Sequence, residues 1–166
     1  MQFLLLLIVG VVIGALGALL SLHGVRKKDV GHEQAFKEFK CLINKGQHEI
    51  LIATDLDPDC FNNHEFLDSL SQAKDRGCDI RILYDKRASL EGVPELAKLQ
   101  KKGVVTIKKG EQEMDMHFAV IDGIHIRLDR HPFQQLGRTE AEGRVLTRTF
   151  ELGRKYRHRF DQMWIS

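Results

Sequence analysis

Apolar residues recur along this chain with two periods, and the switches between them mark its elements. Ala35, Phe36, Phe39, Leu42 and Ile43 share one face of a helix over residues 29–44, with Gly46 as its stop. Residues 49–53, Glu-Ile-Leu-Ile-Ala, make a short apolar run suited to a buried strand. The turn formers of residues 54–59 interrupt it, and Asp59 or Asn62 is expected to cap the next helix. Phe66, Leu67, Leu70 and Ala73 restore helical spacing over residues 65–76, ended by Gly77. Residues 79–84 read as a second buried strand, 94–101 as a short helix closed by Gly103, and 104–108 as a third strand. Residues 114–122 and 124–129 are two more strands, turning at Asp122-Gly123. Leu152, Tyr156, Phe160 and Trp164, at four-residue steps, predict a closing helix over 151–164. Strands that alternate with helices need crossover connections. The expected class is therefore α/β, with a largely parallel sheet covered on both faces.

The N-terminus has a different pattern. Residues 3–22 carry no charge, and about 20 such residues suffice for a helix to cross the hydrocarbon core. A cleaved signal peptide is the rival reading, since Ala15 and Ala18 are small. No basic residue precedes the run, and it is longer than a signal core, so a retained anchor is expected. Arg26, Lys27 and Lys28 follow it, which by the positive-inside rule puts the rest of the chain in the cytoplasm. Gly10, Gly14 and Ala18 line one face of that helix and would let two copies approach closely. The expected division is an anchor with its basic flank over 1–28 and a domain over 29–166.

Composition adds limits. The chain has 166 residues, 43% apolar and 29% charged, with a net charge of +2. This is enough for one packed domain and implies no strong polyanion-binding coat. Cys41, Cys60 and Cys78 are odd in number and widely spaced. They form neither a disulfide framework nor a zinc set, and read as free thiols.

The run Met114-Asp115-Met116-His117-Phe118-Ala119-Val120-Ile121-Asp122-Gly123 resembles the active-site strand of the phospholipase D superfamily. In that family the strand reads His-x-Lys, four residues, then Asp. The likeness extends over roughly residues 32–166, through Ile50-Leu51-Ile52-Ala53, Ile80-Arg81-Ile82-Leu83-Tyr84-Asp85, Gly103-Val104-Val105 and the closing helix with Phe160 and Trp164. It implies a phospholipase D-like mixed, largely parallel sheet flanked by helices, which the transmembrane helix expected from the apolar run would precede. It also implies phosphodiester chemistry through a phosphohistidine, and pairing of single half-units so that two motif strands form one site.

The catalytic letters have changed. Asp122 falls on the family's Asp, His117 on its Lys, and Asp115 on its nucleophilic His. A carboxylate does not simply replace that nucleophile. The family's downstream Gly-Ser-x-Asn falls on Asp129, Arg130, His131 and Pro132, and Pro132 has no backbone donor. Strand alternation puts Asp115 and His117 on one side, and His125, Arg127, Asp129 and His131 on one face of the next strand. Three readings of this patch stay open. It is a solvated polar face; or a phosphate site using His117 with Arg127, Arg130 and His131; or a rebuilt catalytic or metal site from Asp115, His117, Asp129 and His131. No metal-ligand spacing accompanies these residues, and neither a metal nor a cofactor is expected.

Other features have plainer readings. Asp55, Asp57 and Asp59 lack the glycine and glutamate of a calcium loop. Arg148, Arg154, Lys155, Arg157 and Arg159 read as the solvated face of the closing helix. The functional expectation is a membrane-anchored, catalytically degenerate phospholipase D-like protein, a dimeric scaffold or phosphodiester-binding module. The alternative is a phosphodiesterase, acting on phospholipid or nucleic acid, with a rebuilt Asp/His site. The expected partners are a second copy, the bilayer, and a phosphodiester ligand.

Overall fold

The computed structural model describes residues 26–30, 32–130 and 143–166. In chain order these form β1 (Arg26–Val30), α1 (His32–Lys45), β2 (Glu49–Thr54), α2 (Pro58–Phe61), α3 (His64–Asp75), β3 (Asp79–Tyr84), a 3-10 turn (Leu90–Gly92), α4 (Pro94–Lys101), β4 (Thr106–Lys109), β5 (Met116–Ile121), β6 (His125–Arg130), β7 (Gly143–Thr147) and α5 (Phe150–Ile165). The predicted elements are present with ends shifted by up to three residues. Two strands and one helix were not anticipated: β1, β7 and α2. Asp57 caps α2 and Asn63 caps α3, in place of the expected Asp59 or Asn62.

The strands form one seven-stranded sheet in the order β1-β7-β6-β5-β2-β3-β4. Only β2–β3 and β3–β4 pair in parallel. The β1–β7, β7–β6, β6–β5 and β5–β2 pairs are antiparallel. The sheet is therefore mixed and mostly antiparallel, which corrects the largely parallel expectation. The expected domain boundary after residue 28 falls inside β1. The expected membrane helix lies outside the described residues, and among those described no helix is long and apolar enough to cross a membrane.

The central strands are buried on both faces, hence their nearly unbroken apolar runs. Ile50, Ile52, Ile80, Ile82, Ala119 and Ile121 face a larger core with Phe39 and Ile43 of α1, Phe66 and Leu70 of α3 and Leu96 of α4. Alternate residues Leu51, Ala53, Leu83, Phe118 and Val120 face a smaller core closed by Phe160 of α5. Arg81, on the same side as α5, lies over the Phe160 and Trp164 rings at 5.7 and 5.8 Å.

Two carboxylates hold β5 at its ends. Asp85, 1% exposed, accepts hydrogen bonds from the backbone N–H of Met114 at 2.6 Å and of Arg87 at 2.8 Å. The Arg87 guanidinium adds bonds at 3.0 and 3.1 Å. Burial opposes ionisation of Asp85, but these donors outweigh it and hold the carboxyl well below the usual range. At the other end, Asp122 accepts from the backbone N–H groups of Gln47, His48 and Glu49 at 2.9, 2.8 and 3.0 Å. There too burial works against ionisation and the three amides overcome it, lowering the pKa. Asp122 (φ 52°) and Gly123 (φ 66°) are both left-handed, as a tight β5–β6 hairpin turn requires. A Cβ on Gly153 would lie 1.8 Å from the Gly123 carbonyl oxygen, so α5 can cross this turn only with glycine there.

Chemical denaturation of the full chain tests these contacts. Gly153→Ala should cost about 3 kcal/mol through overpacking, although alanine is the better helix former. Asp122→Ala should cost about 3 kcal/mol, from three orphaned backbone donors. Asp122 has a folded pKa below its unfolded 3.8. Its contribution is thus complete above that value and is lost as pH falls through the folded pKa. Asp122→Asn should flatten this acid limb, and an unchanged limb would contradict the assignment.

Candidate functional site

The C-terminal end of β2 carries an unusual turn. Leu56 is buried yet left-handed, with φ 62°, and its N–H donates to the Thr54 hydroxyl at 3.1 Å. Strained residues of this kind concentrate where a fold shapes a site. Beside the turn opens a cleft of about 540 Å³ between α1, α2 and the β2, β5 and β6 strands. Its apolar wall includes Phe36, Phe39 and Phe61, and its charged and imidazole groups are Lys37, Asp55, Asp57, Asp59, His117, Arg127 and Asp129.

The β5–β6 pairing forms part of the site expected from sequence. His117 stands directly opposite Asp129, with Arg127 opposite Ala119. His117, 8% exposed, has Nδ1 3.6 Å from a carboxylate oxygen of Asp55, an ion pair when the imidazole is protonated. Arg127 is engaged twice over. Its Nε lies 3.0 and 2.8 Å from the two carboxylate oxygens of Asp129, and its guanidinium carbon sits 4.3 Å above the centre of the Phe39 ring.

The other expected members lie elsewhere. Asp115 precedes β5, so strand alternation does not govern it. Its exposed carboxylate bonds Arg159 of α5, and that guanidinium lies 5.9 Å over Phe118, on the opposite side of the sheet from His117. Asp115 and His117 therefore do not share a site, which corrects the expectation. Asp122 and His125 stand at the far end of the strands, four register steps from the His117–Asp129 pair, about 13 Å along the sheet. Asp122 there holds the α1–β2 connection, and burial lowers the pKa of His125, with Lys45 and Arg148 adding to the effect. Arg130 ends β6; its side chain, like His131, lies outside the described residues. Among those described, no three His, Cys, Asp or Glu side chains converge to hold a metal ion.

Sequence reasoning missed three contributors. Asp55 was grouped with a turn triplet, and Arg159 with a solvated face. Cys60 lines the cleft, but burial pushes its thiol up to about 12, so it remains protonated and a poor nucleophile near neutral pH.

No family model matches the sequence, and no curated protein does. Solved structures do match by fold. NucT from Helicobacter pylori superposes with a TM-score of 0.68 at 15% identity, covering 86% of this chain and 98% of its own. Nuc from Salmonella typhimurium, a phospholipase D family member, gives 0.60 at 12% identity, over 85% of this chain and 95% of its own. TrmBL2, an archaeal chromatin protein with a novel mode of DNA binding, gives 0.64 at 19% identity over 98% of this chain. This chain spans 64% of TrmBL2. From β1 to α5, the chain has a phospholipase D-like fold.

Proposed function

We propose that this chain is a membrane-anchored phospholipase D-like module that no longer transfers phosphodiesters and works as a dimeric scaffold or binding protein. One observation carries the reading. Asp115, at the family's nucleophile position, turns its carboxylate away from the cleft to Arg159. The charge balance supports it too. Asp55, Asp57, Asp59 and Asp129 face Lys37 and Arg127, and Arg127 is already neutralised by Asp129. Such a cleft offers little net positive charge to a phosphodiester anion. TrmBL2, described as a chromatin protein with a novel mode of DNA binding, supports a binding role for the fold.

A second reading rests on the His117–Asp55 pair. An imidazole with a carboxylate 3.6 Å away in a cleft could tighten into the pair of a general base or an activated nucleophile when substrate binds. It belongs to a phosphodiesterase with a rebuilt site. In both readings residues 3–22 anchor the chain and the domain lies in the cytoplasm. The small-residue face of that helix favours a parallel pair.

The full chain should not hydrolyse bis-nitrophenyl phosphate above background. Asp115→Ala should shift stability by no more than about 0.5 kcal/mol, as expected for an exposed ion pair. Restoring the family letters, Asp115→His with His117→Lys, should not create turnover. Residue 115 lies outside β5, and Asp129 presents a carboxylate where the family has glycine. Turnover lost in His117→Ala and in Asp55→Asn, but kept in Asp115→Ala, would replace the first reading with the second. Crosslinking in membranes should trap a dimer, and a monomer in both membrane and detergent would contradict the paired state.

A further inference from the structure

The chain enters the sheet at Arg26, and Arg26, Thr147, His125 and Ile121 lie in one row across it. The cleft residues Asp129 and His117 lie at the other end of the same strands. The chain-entry end also gathers the C-termini of α1, α3 and α4, which precede β2, β3 and β4, and the start of α5 after β7.

Charge divides along the same axis. The entry end bears the exposed side chains of Lys45, Lys74, Arg76, Lys101, Lys102 and Arg148. Its acids are Glu49, Asp75, Asp79, Asp122 and Glu151; Asp79 pairs with Arg81, Glu49 with Arg81 and Arg157, and Asp122 is taken up by backbone amides. Lysines also suit helix C-termini through the macrodipole. That does not account for Arg148, which is left-handed at φ 63° beyond the end of β7, or for Phe150, which is 71% exposed two residues later. The cleft end, by contrast, bears Asp55, Asp57, Asp59, Glu91, Glu95 and Glu113 against Lys37, Lys86, Arg87 and Lys109.

We infer that the basic entry end, with Phe150 at its tip, is a docking face for an anionic lipid bilayer, and that the cleft opens away from the membrane. The inference rests on the proposed anchor for its reach. Only His23, Gly24 and Val25 separate the apolar run from Arg26, a span of at most about 11 Å. That distance is close to one Debye length, within which clustered lysines and arginines are held by acidic headgroups. An exposed aromatic ring beside them suits the headgroup layer, where amphipathic and aromatic side chains concentrate. The opposite, acidic end would be repelled by the same surface. Whatever the cleft binds therefore comes from the aqueous side rather than from the anchoring leaflet.

The test uses the full chain with Cys41→Ser, which leaves only the buried Cys60 and Cys78. A single environment-sensitive fluorophore is placed at Phe150→Cys or at Glu91→Cys. The protein is reconstituted in phosphatidylcholine vesicles with or without phosphatidylserine, and quenched by nitroxide-bearing lipid. Position 150 should be quenched several-fold more than position 91 in the phosphatidylserine vesicles. The difference should shrink at high salt and in Lys101→Glu/Lys102→Glu. Equal quenching at the two positions, or stronger quenching at 91, would overturn the docking face. Alkaline carbonate extraction judges the anchor separately. A chain released by carbonate but still quenched at position 150 loses the anchor and keeps the docking face, whereas a retained chain without the contrast keeps the anchor and loses the face.

Discussion

Everything at the cleft depends on where β5 begins and ends, and two carboxylates fix both points. Asp85 anchors the Met114 amide two residues before the strand, and Asp122 gathers three amides of the α1–β2 connection just after it. Each accepts backbone donors that have no strand partner at that position, in a setting where an unmet donor is costly. Between them β5 can neither slide against β2 nor lengthen toward α5. His117 is thereby set beside Asp55, and Asp115 is left outside the strand. The conformational freedom that would bring residue 115 into the cleft has been given up to a structural bond.

The same constraint explains the electrostatics of the cleft. With β5 and β6 in register, His117 meets Asp129, and Arg127 lies over Phe39 with its charge met by Asp129. An arginine used this way is a packing element as much as a cation, and releasing it for a phosphate would leave Asp129 partly buried and unpaired. The cleft is shaped and aromatic but not cationic. The cluster of exposed lysines and arginines that outnumbers its neighbouring acids lies at the other end of the sheet, where the chain enters.

Much of this was legible in the sequence, and the failures have physical causes. The apolar runs of β2, β3 and β5 declared themselves because both faces of each are buried. The Asp122-Gly123 turn was readable because two left-handed residues suit it. The strand β1 was not readable: Arg-Lys-Lys-Asp-Val has no apolar alternation, and a charged edge strand is expected to lack one. Pairing direction was lost as well. Alternating helices and strands suggested parallel crossovers, while the antiparallel β5–β2 contact joins residues 65 or more apart in sequence and leaves no local mark. Asp115 was misplaced for a simpler reason. Counting alternate residues presumes a strand, and the strand starts at Met116. Spacing put Asp122 on the family's Asp, yet spacing alone could not distinguish a chemical carboxylate from one that ties the backbone together.

The most direct measurement is a ¹³C NMR titration of the aspartate carboxyl groups in the full chain, with the signals of Asp85 and Asp122 assigned by their disappearance in Asp85→Asn and Asp122→Asn. If both carboxylates hold β5 through backbone donors, they stay ionised at pH values where the exposed aspartates have already taken up protons. If either titrates together with the exposed aspartates, β5 is not held in this way and the account of the cleft fails.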